Sequence, residues 1–492
     1  MKVSVQNISL TKFKCDLLVV NIFEKVKKPG GATGVIDDSM ENHITKLISS
    51  GEIEGKLGEK TLIHTFEGLP ACRVVVIGLG KREDFGLDKA RVASAAGIRV
   101  GKQVKAKKVA TIIHGAGFGG FDIADAAQAT VEGAILGAYE FDGNKTEKAP
   151  HQVKDLVLVE KDRRKVKLIK IGARIGEIVA NAENNARDLV NSPSNKVTPT
   201  YFAKYAQKMA KAAGLKCTVL DPKKRGMAAI HAIAKGSKEP AKMVVLQTRA
   251  STRGPRVALI GKGVTFDAGG ISLKPSKKLW EMKIDMAGAA AVAEVMRAIS
   301  QLKLKKDVIA VIPLTENMPG GGALKPGDVV SSLSGITTEI ISTDAEGRMI
   351  LADAITYAKR LGAKIIVDCA TLTGGCITAL GETASGIMGN SDKLIEDFKA
   401  AAERTGEKVW PLPLFKEYKK YLRSTVADQK NCTEGMGASP SVGGTFLHKF
   451  AGNTPWVHLD IAGTANISIA KGYLKKGATG VPVRTLVEFI KS

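Results

Sequence analysis

Thr338-Glu339-Ile340-Ile341-Ser342-Thr343-Asp344-Ala345-Glu346-Gly347-Arg348-Met349-Ile350-Leu351 reads as a strand, an acidic corner and the start of a helix. Residues 338–341 are β-prone. Met349, Ile350, Leu351, Ala354, Ile355 and Ala358 recur at helical spacing. Residues i and i+2 of extended backbone point the same way, so Asp344 and Glu346 converge on one point. Gly347 frees the turn, and Arg348 faces whatever the two carboxylates bind. Converging carboxylates require a cation, and open α/β sheets hold their ligands at the carboxyl ends of strands.

The same alternation runs through the chain. Short apolar runs at 17–20, 74–77, 110–113 and 155–159 are separated by helix-like stretches such as 88–96, which predicts a small, largely parallel α/β unit. Ile175, Ile178, Val179 and Ala182 give one apolar face to a connecting helix over 175–190, stopped by Asn191-Ser192-Pro193-Ser194-Asn195. Beyond it, strands are expected at 217–220, 243–247, 257–260, 308–312, 364–368 and 456–461. At 492 residues the chain is too long for one ordinary core. The boundaries expected are an N-terminal α/β domain at 1–160, a basic linker and connecting helix at 161–195, and a catalytic domain at 196–492.

With 44% hydrophobic and 25% charged residues the composition is that of a globular protein and excludes a disordered chain. No apolar segment is long enough to span a bilayer, and the first residues lack the apolar core of a signal peptide. Six widely spaced cysteines form no C-x-x-C pair, which argues for free thiols in a reducing compartment. A cytoplasmic protein without a membrane partner is expected. Residues 151–250 hold 21 basic and 8 acidic residues, +13 of the total +24. Lys161-Asp162-Arg163-Arg164-Lys165-Val166-Lys167 is the densest piece. Such a stripe favours polyanions and leaves a DNA-binding or architectural role open. No aromatic residues interleave with the lysines to stack bases, which favours a merely solvated face.

A second constellation follows the apolar run 257–260: Gly261-Lys262-Gly263-Val264-Thr265-Phe266-Asp267-Ala268-Gly269-Gly270-Ile271-Ser272-Leu273-Lys274-Pro275. Its glycines let the backbone turn sharply. Asp285 then precedes a small-residue helix. Taken singly, Asp267 reads as a turn residue and Asp285 as a helix cap. Taken together, Asp267, Asp285, Asp344 and Glu346 carry a charge of −4 at strand ends and helix starts, which matches two divalent cations. All-oxygen ligation suits manganese or magnesium, with zinc by analogy, and two-metal sites activate water. A dinuclear phosphoesterase would also fit four carboxylates, but the order of the motif blocks along the chain argues against it. His458 and Asp460 share one face of a strand and invite a catalytic dyad, but a structural role is the simpler reading.

These blocks closely resemble the leucyl (cytosol) aminopeptidases, dinuclear metallopeptidases. So do Glu316-Asn317-Met318-Pro319, Ala370-Thr371-Leu372-Thr373-Gly374 and Trp456-Val457-His458-Leu459-Asp460-Ile461-Ala462-Gly463-Thr464. The likeness is strong over about 170–490 and general before that. It implies a two-domain α/β fold, with a smaller N-terminal domain and a larger catalytic domain built on a mixed central sheet. It further implies metal ligation by Lys262, Asp267, Asp285, Asp344 and Glu346. Lys274 would polarise the scissile carbonyl. Arg348 would hold a bicarbonate ion as general base, which explains a site without histidine. Ligation by Lys262 needs a neutral amine, and two cations plus burial should lower its pKa. Thr371, Leu372, Gly374 and Met282 would contact substrate, an apolar N-terminal residue such as leucine. The cofactors implied are two divalent ions, manganese first with zinc or magnesium as alternatives, and bicarbonate; the assembly implied is a homohexamer acting on peptides. Two positions depart from the family pattern: Ser342 stands for the usual Asn, and Gly320-Gly321-Gly322 for the usual Ser-Gly-Asn. Neither removes a ligand.

Overall fold

The computed structural model describes residues 1–492 except 67, 118–119, 148–150, 249–253 and 436. The chain forms two compact units: residues 1–181 with 469–475, and residues 182–468 with 476–492. No helix among the described residues is long and apolar enough to cross a membrane. All six cysteines are free.

The first unit is a six-stranded sheet in the order Lys2–Gln6, Asp155–Val159, Lys108–Thr111, Leu17–Ile22, Arg73–Gly78 and Lys60–His64. Every neighbouring pair is parallel except the last, where Lys60–His64 runs antiparallel at the edge. The near-continuous apolar run at 17–20 is explained by cover on both faces. Leu17, Val19, Val75 and Ile77 pack into a cluster with helices Leu87–Gln103 and Ile123–Ala138. The alternate residues Leu18, Val20, Val74 and Val76 pack with Ile36 and Ile44. The strand at 155–159 is not an edge; Lys2–Gln6, too short and polar to stand out in the sequence, lies outside it.

The connecting helix is longer than its apolar stripe. It spans Arg163–Asn191, 29 residues, so most of the basic run at 161–167 forms its first turns and is no irregular linker. Lys161, Arg163, Arg164, Lys165 and Lys167 are exposed.

The second unit carries a mixed sheet in the order Val409–Pro411, Ser385–Gly389, Trp456–Asp460, Ile365–Ala370, Val257–Gly261, Val308–Asn317, Lys242–Gln247 and Lys216–Leu220. The four middle strands are mutually parallel, and antiparallel pairs flank them. Ala258, Ile260, Ile309, Val311 and Ile366 pack with residues from helices Ala228–Ala234, Glu346–Arg360 and Ser439–Ala451 in one core cluster. Helix Ala287–Gln301 packs on the same parallel strands.

A short strand, Gly263–Asp267, runs parallel to the far end of Val308–Asn317. Sequence reading placed a turn there because of its flanking glycines. The acidic corner also differs from expectation. The strand before it is Thr337–Glu339, and it belongs to a separate three-stranded sheet with Val329–Ser331 and Gln429–Lys430.

Candidate metal centre

The site is assembled at the carboxyl ends of parallel strands, where α/β sheets present their ligand crevices. Lys262 follows Val257–Gly261, Asp267 ends Gly263–Asp267, Asn317 ends Val308–Asn317 and Thr371 follows Ile365–Ala370. Asp285 lies in the 3₁₀ helix Leu279–Met286, just ahead of helix Ala287–Gln301. That longer helix has no side-chain cap, so Asp285 is free of the capping role its position offers. Glu346 is the first residue of helix Glu346–Arg360.

Asp267, Asp344 and Glu346 bring carboxylate oxygens within 4.8 Å of one another. Lys262 Nζ joins this group to Asp285, lying 2.7 Å from Asp285 Oδ1 and 2.8 Å from Glu346 Oε1. Lys274 Nζ reaches in from the other side, 2.9 Å from Asp267 Oδ2 and ion-paired with Asp344. Two ammonium groups thus offset half the charge of four carboxylates. Asp285 Oδ2 is buried with no hydrogen-bond partner among the described residues, and Glu346 Oε1, equally buried, has only the Lys262 ammonium beside it. Native interiors rarely leave a buried polar atom unpaired. An unsatisfied carboxylate oxygen and excess negative charge fit divalent cations, as does the all-oxygen donor set with one amine.

The ionisation pattern has the same origin. Partial burial pushes Asp344, whose side chain is still 36% exposed, up to about 6, and Asp267 adds to the rise against the opposing Lys274. Asp285 is raised well above the carboxylate range by burial, with Glu346 and Asp267 outweighed only in part by Lys262. For Lys262, burial acts downward, yet Asp285, Glu346 and Asp267 hold the amine above the usual lysine range. The depressed lysine expected from the sequence depended on two cations; the carboxylates by themselves act in the opposite direction. Lys274 follows the same balance and stays charged.

Gly347 has a different role from the one its sequence context implied. It lies inside the first helical turn, and a Cβ there would come 2.6 Å from Lys262 Cε. Its missing side chain is the space through which Lys262 reaches the carboxylates. The turn glycines are Gly269 and Gly270, with φ of +88° and +68°.

Several residues that fix the site carried no signal beyond lying in or near a motif. Asn317 Nδ2 donates to Asp267 Oδ1 at 2.8 Å and to the Thr343 carbonyl at 3.0 Å, tying the two acidic segments together. Thr343 Oγ1 donates to the Gly269 carbonyl at 2.6 Å and accepts from the Ser272 amide. Asn431 brackets the corner: its Nδ2 donates to the Ser342 carbonyl at 2.6 Å, and its own carbonyl accepts from Arg348 Nη1 at 2.7 Å. Arg348 is buried, and its Nε has no partner among the described residues. Ser342 Oγ accepts from the Asp344 amide at 3.2 Å, a contact within its short reach.

The loop at 371–374 is held from two sides. Lys262 Nζ donates to the Thr371 carbonyl at 2.9 Å. Asp460 accepts from the Leu372 amide at 3.2 Å and from Thr373 Oγ1 at 2.7 Å. Gly374 opens helix Gly374–Leu380 at an exposed position. Leu372 and Arg348 both lie against Gly443, where a Cβ would be 3.1 Å and 3.3 Å from their side chains. Met282 is half-buried in the 3₁₀ helix that carries Asp285. His458 and Asp460 form no dyad: His458 Nδ1 lies 2.5 Å from Asp368 Oδ1, and Trp456 Nε1 donates to the other oxygen of Asp368 at 2.6 Å.

Two family models match the chain: the cytosol aminopeptidase catalytic domain over residues 184–487 and the N-terminal domain of the same family over 19–148. A probable cytosol aminopeptidase of Geotalea uraniireducens (strain Rf4) is 43% identical over 487 residues, covering 98% of this chain and 97% of the relative. Among solved structures, a tomato leucine aminopeptidase variant superposes with a TM-score of 0.88 at 28% identity, covering 100% of this chain and 96% of its own. The bottromycin maturation enzyme BotP in complex with Mn gives a TM-score of 0.85 at 35% identity, with coverages of 97% and 99%.

Proposed function

The chain belongs to the cytosol aminopeptidase family and is an aminopeptidase, a hydrolase, and from that premise we propose that it removes N-terminal residues, leucine and other apolar ones foremost, from peptides with the help of two divalent ions. The observation that carries this reading is the convergence of Asp267, Asp344 and Glu346 within 4.8 Å, with Lys262 and Asp285 attached and the buried Asp285 Oδ2 unpaired among the described residues. Lys262, Asp267, Asp285, Asp344 and Glu346 would hold the ions, manganese first in view of the Mn complex of BotP, with zinc or magnesium as alternatives. Bound there, such ions supply a nucleophilic water at neutral pH and Lewis-acid help to the carbonyl.

The chain's own residues do the rest. Lys274 keeps its proton and places positive charge where the scissile carbonyl oxygen becomes negative. Arg348 offers a buried guanidinium with an unpaired Nε, suited to hold bicarbonate as the proton acceptor that carboxylates committed to cations cannot provide. Thr371, Leu372 and Gly374 line the cleft with backbone groups fixed by Asp460 and Lys262, and Met282 forms part of an apolar wall for the first side chain. We take the assembly to be a cytoplasmic homohexamer.

The free α-amino group of the substrate is central to this reading, because an exposed amine can join the ions beside the first peptide bond. The test compares leucine p-nitroanilide with its N-acetyl form. Hydrolysis of the free amine with no turnover of the acetylated compound supports an exopeptidase. Equal rates on both would overturn it.

A further inference from the structure

The sheet of the first unit reverses its order beside strand Leu17–Ile22. From it the chain leads to Arg73–Gly78 on one side and to Lys108–Thr111 on the other. Ligands of open parallel sheets bind outside the carboxyl ends of the strands at such a reversal. A cavity of about 950 Å³ lies there, near the upper end of the roughly 300–1,000 Å³ range of small-molecule sites. Its walls come from residues 21–24 at the end of one strand and from 112–113 and 115–117 after the other.

The lining defines the ligand chemistry. Lys28, Arg82, Lys161 and Lys165 border the cavity, against only Glu24 and Glu160. The start of helix Gly31–Ser39 also borders it, and that helix has no side-chain cap. Its first amides therefore lack both intrahelical and capping partners. A Cβ at Gly30 or Gly31 would meet nothing within 4 Å, so open space lies directly beside those amides. The remaining wall is apolar, with Ile8, Leu10, Val26 and Ile112. Cations, bare amides and apolar side chains lining one cavity suit a ligand with phosphates and a ring.

We propose that this cavity binds a nucleoside diphosphate or its ester, at a site separate from the metal centre, with the phosphates on the amides of residues 31–33 and on the lysines. Lys161 and Lys165 belong to the basic stretch that stood apart in the sequence, and peptide hydrolysis gives that stretch no use. The proposal does not depend on the peptidase reading.

The test is isothermal titration of the full-length, metal-loaded protein with ADP, alongside adenosine and pyrophosphate. Two variants accompany it. Gly30 has extended backbone (φ −115°, ψ −177°) and open space for a side chain, so Gly30→Glu adds a carboxylate at the helix start without strain. Lys161→Glu with Lys165→Glu reverses two exposed charges. ADP should bind the wild type at least about tenfold more tightly than adenosine or pyrophosphate. Gly30→Glu should abolish binding and the double variant should weaken it by about tenfold or more, while leucine p-nitroanilide hydrolysis stays unchanged in both. Absence of ADP binding at about 1 mM, an affinity far below that of ordinary cofactor sites, overturns the proposal. So does pyrophosphate binding as tight as ADP, or ADP binding that survives both variants and competes with the peptidase substrate, which would place it on the metal centre.

Discussion

The hydroxyl of Thr371 donates a 2.5 Å hydrogen bond to Asp285 Oδ1. The loop at 371–374 and the acidic cluster are therefore joined through one residue, because the carbonyl of Thr371 also accepts from Lys262. Asp460 completes it from below by taking the Leu372 amide and the Thr373 hydroxyl.

Asp460 touches no ligand position and acts through the loop, as a positioning residue. Asp460→Ala should lower kcat/KM by about 10²-fold, the penalty for displacing a reacting group by about 1 Å. Asp460→Asn retains an acceptor oxygen for the Leu372 amide and should recover most of the activity. Michaelis kinetics on leucine p-nitroanilide, with thermal melting as the folding control, measures both. Equal loss in the two variants would show that the loop geometry does not depend on these bonds.

Lys274 is the one lysine of the cluster with part of its side chain exposed, 22% against 4% for Lys262. A residue that stabilises charge only in the transition state affects kcat more than KM. Lys274→Met should reduce kcat by about 10²- to 10³-fold with KM changed far less. A variant altered in KM alone would assign Lys274 to ground-state binding.

Arg348 should make the enzyme respond to bicarbonate. In buffer stripped of carbon dioxide, wild-type activity should fall and return on adding bicarbonate. Arg348→Ala should be slower by about 10²-fold or more, the worth of a general base, and should not respond. Wild-type rates indifferent to bicarbonate would remove that ion from the mechanism.

Much of this site was legible because its chemistry is written in short segments. Asp344, Glu346 and Arg348 lie within five residues, and Lys262, Asp267 and Lys274 within thirteen. The apolar runs at 17–20 and 74–77, separated by helix-like stretches, likewise announced a largely parallel sheet. What escaped was set by contacts distant in sequence. Asn317 and Asn431 are ordinary amides until the fold brings them to Asp267 and Arg348. Gly347 reads as a turn residue, and only the path of Lys262 past it shows a packing role. Strand Gly263–Asp267 was hidden because glycine at both ends of Lys262 resembles a break, while its pairing comes from the distant residues 314–317. The basic stretch at 161–167 resembled a linker, since charge masks the apolar stripe of the helix it begins.

The central claim is that Asp267, Asp344 and Glu346 converge to hold catalytic metal ions. The most direct measurement is the rate of p-nitroaniline release from leucine p-nitroanilide in the presence of Mn²⁺, with and without a chelator, for wild type and Glu346→Ala. Chelation should abolish wild-type activity and added Mn²⁺ should restore it, while Glu346→Ala should lose about 10³-fold or more, several kcal/mol of transition-state stabilisation. Activity that survives both the chelator and the substitution would contradict the account.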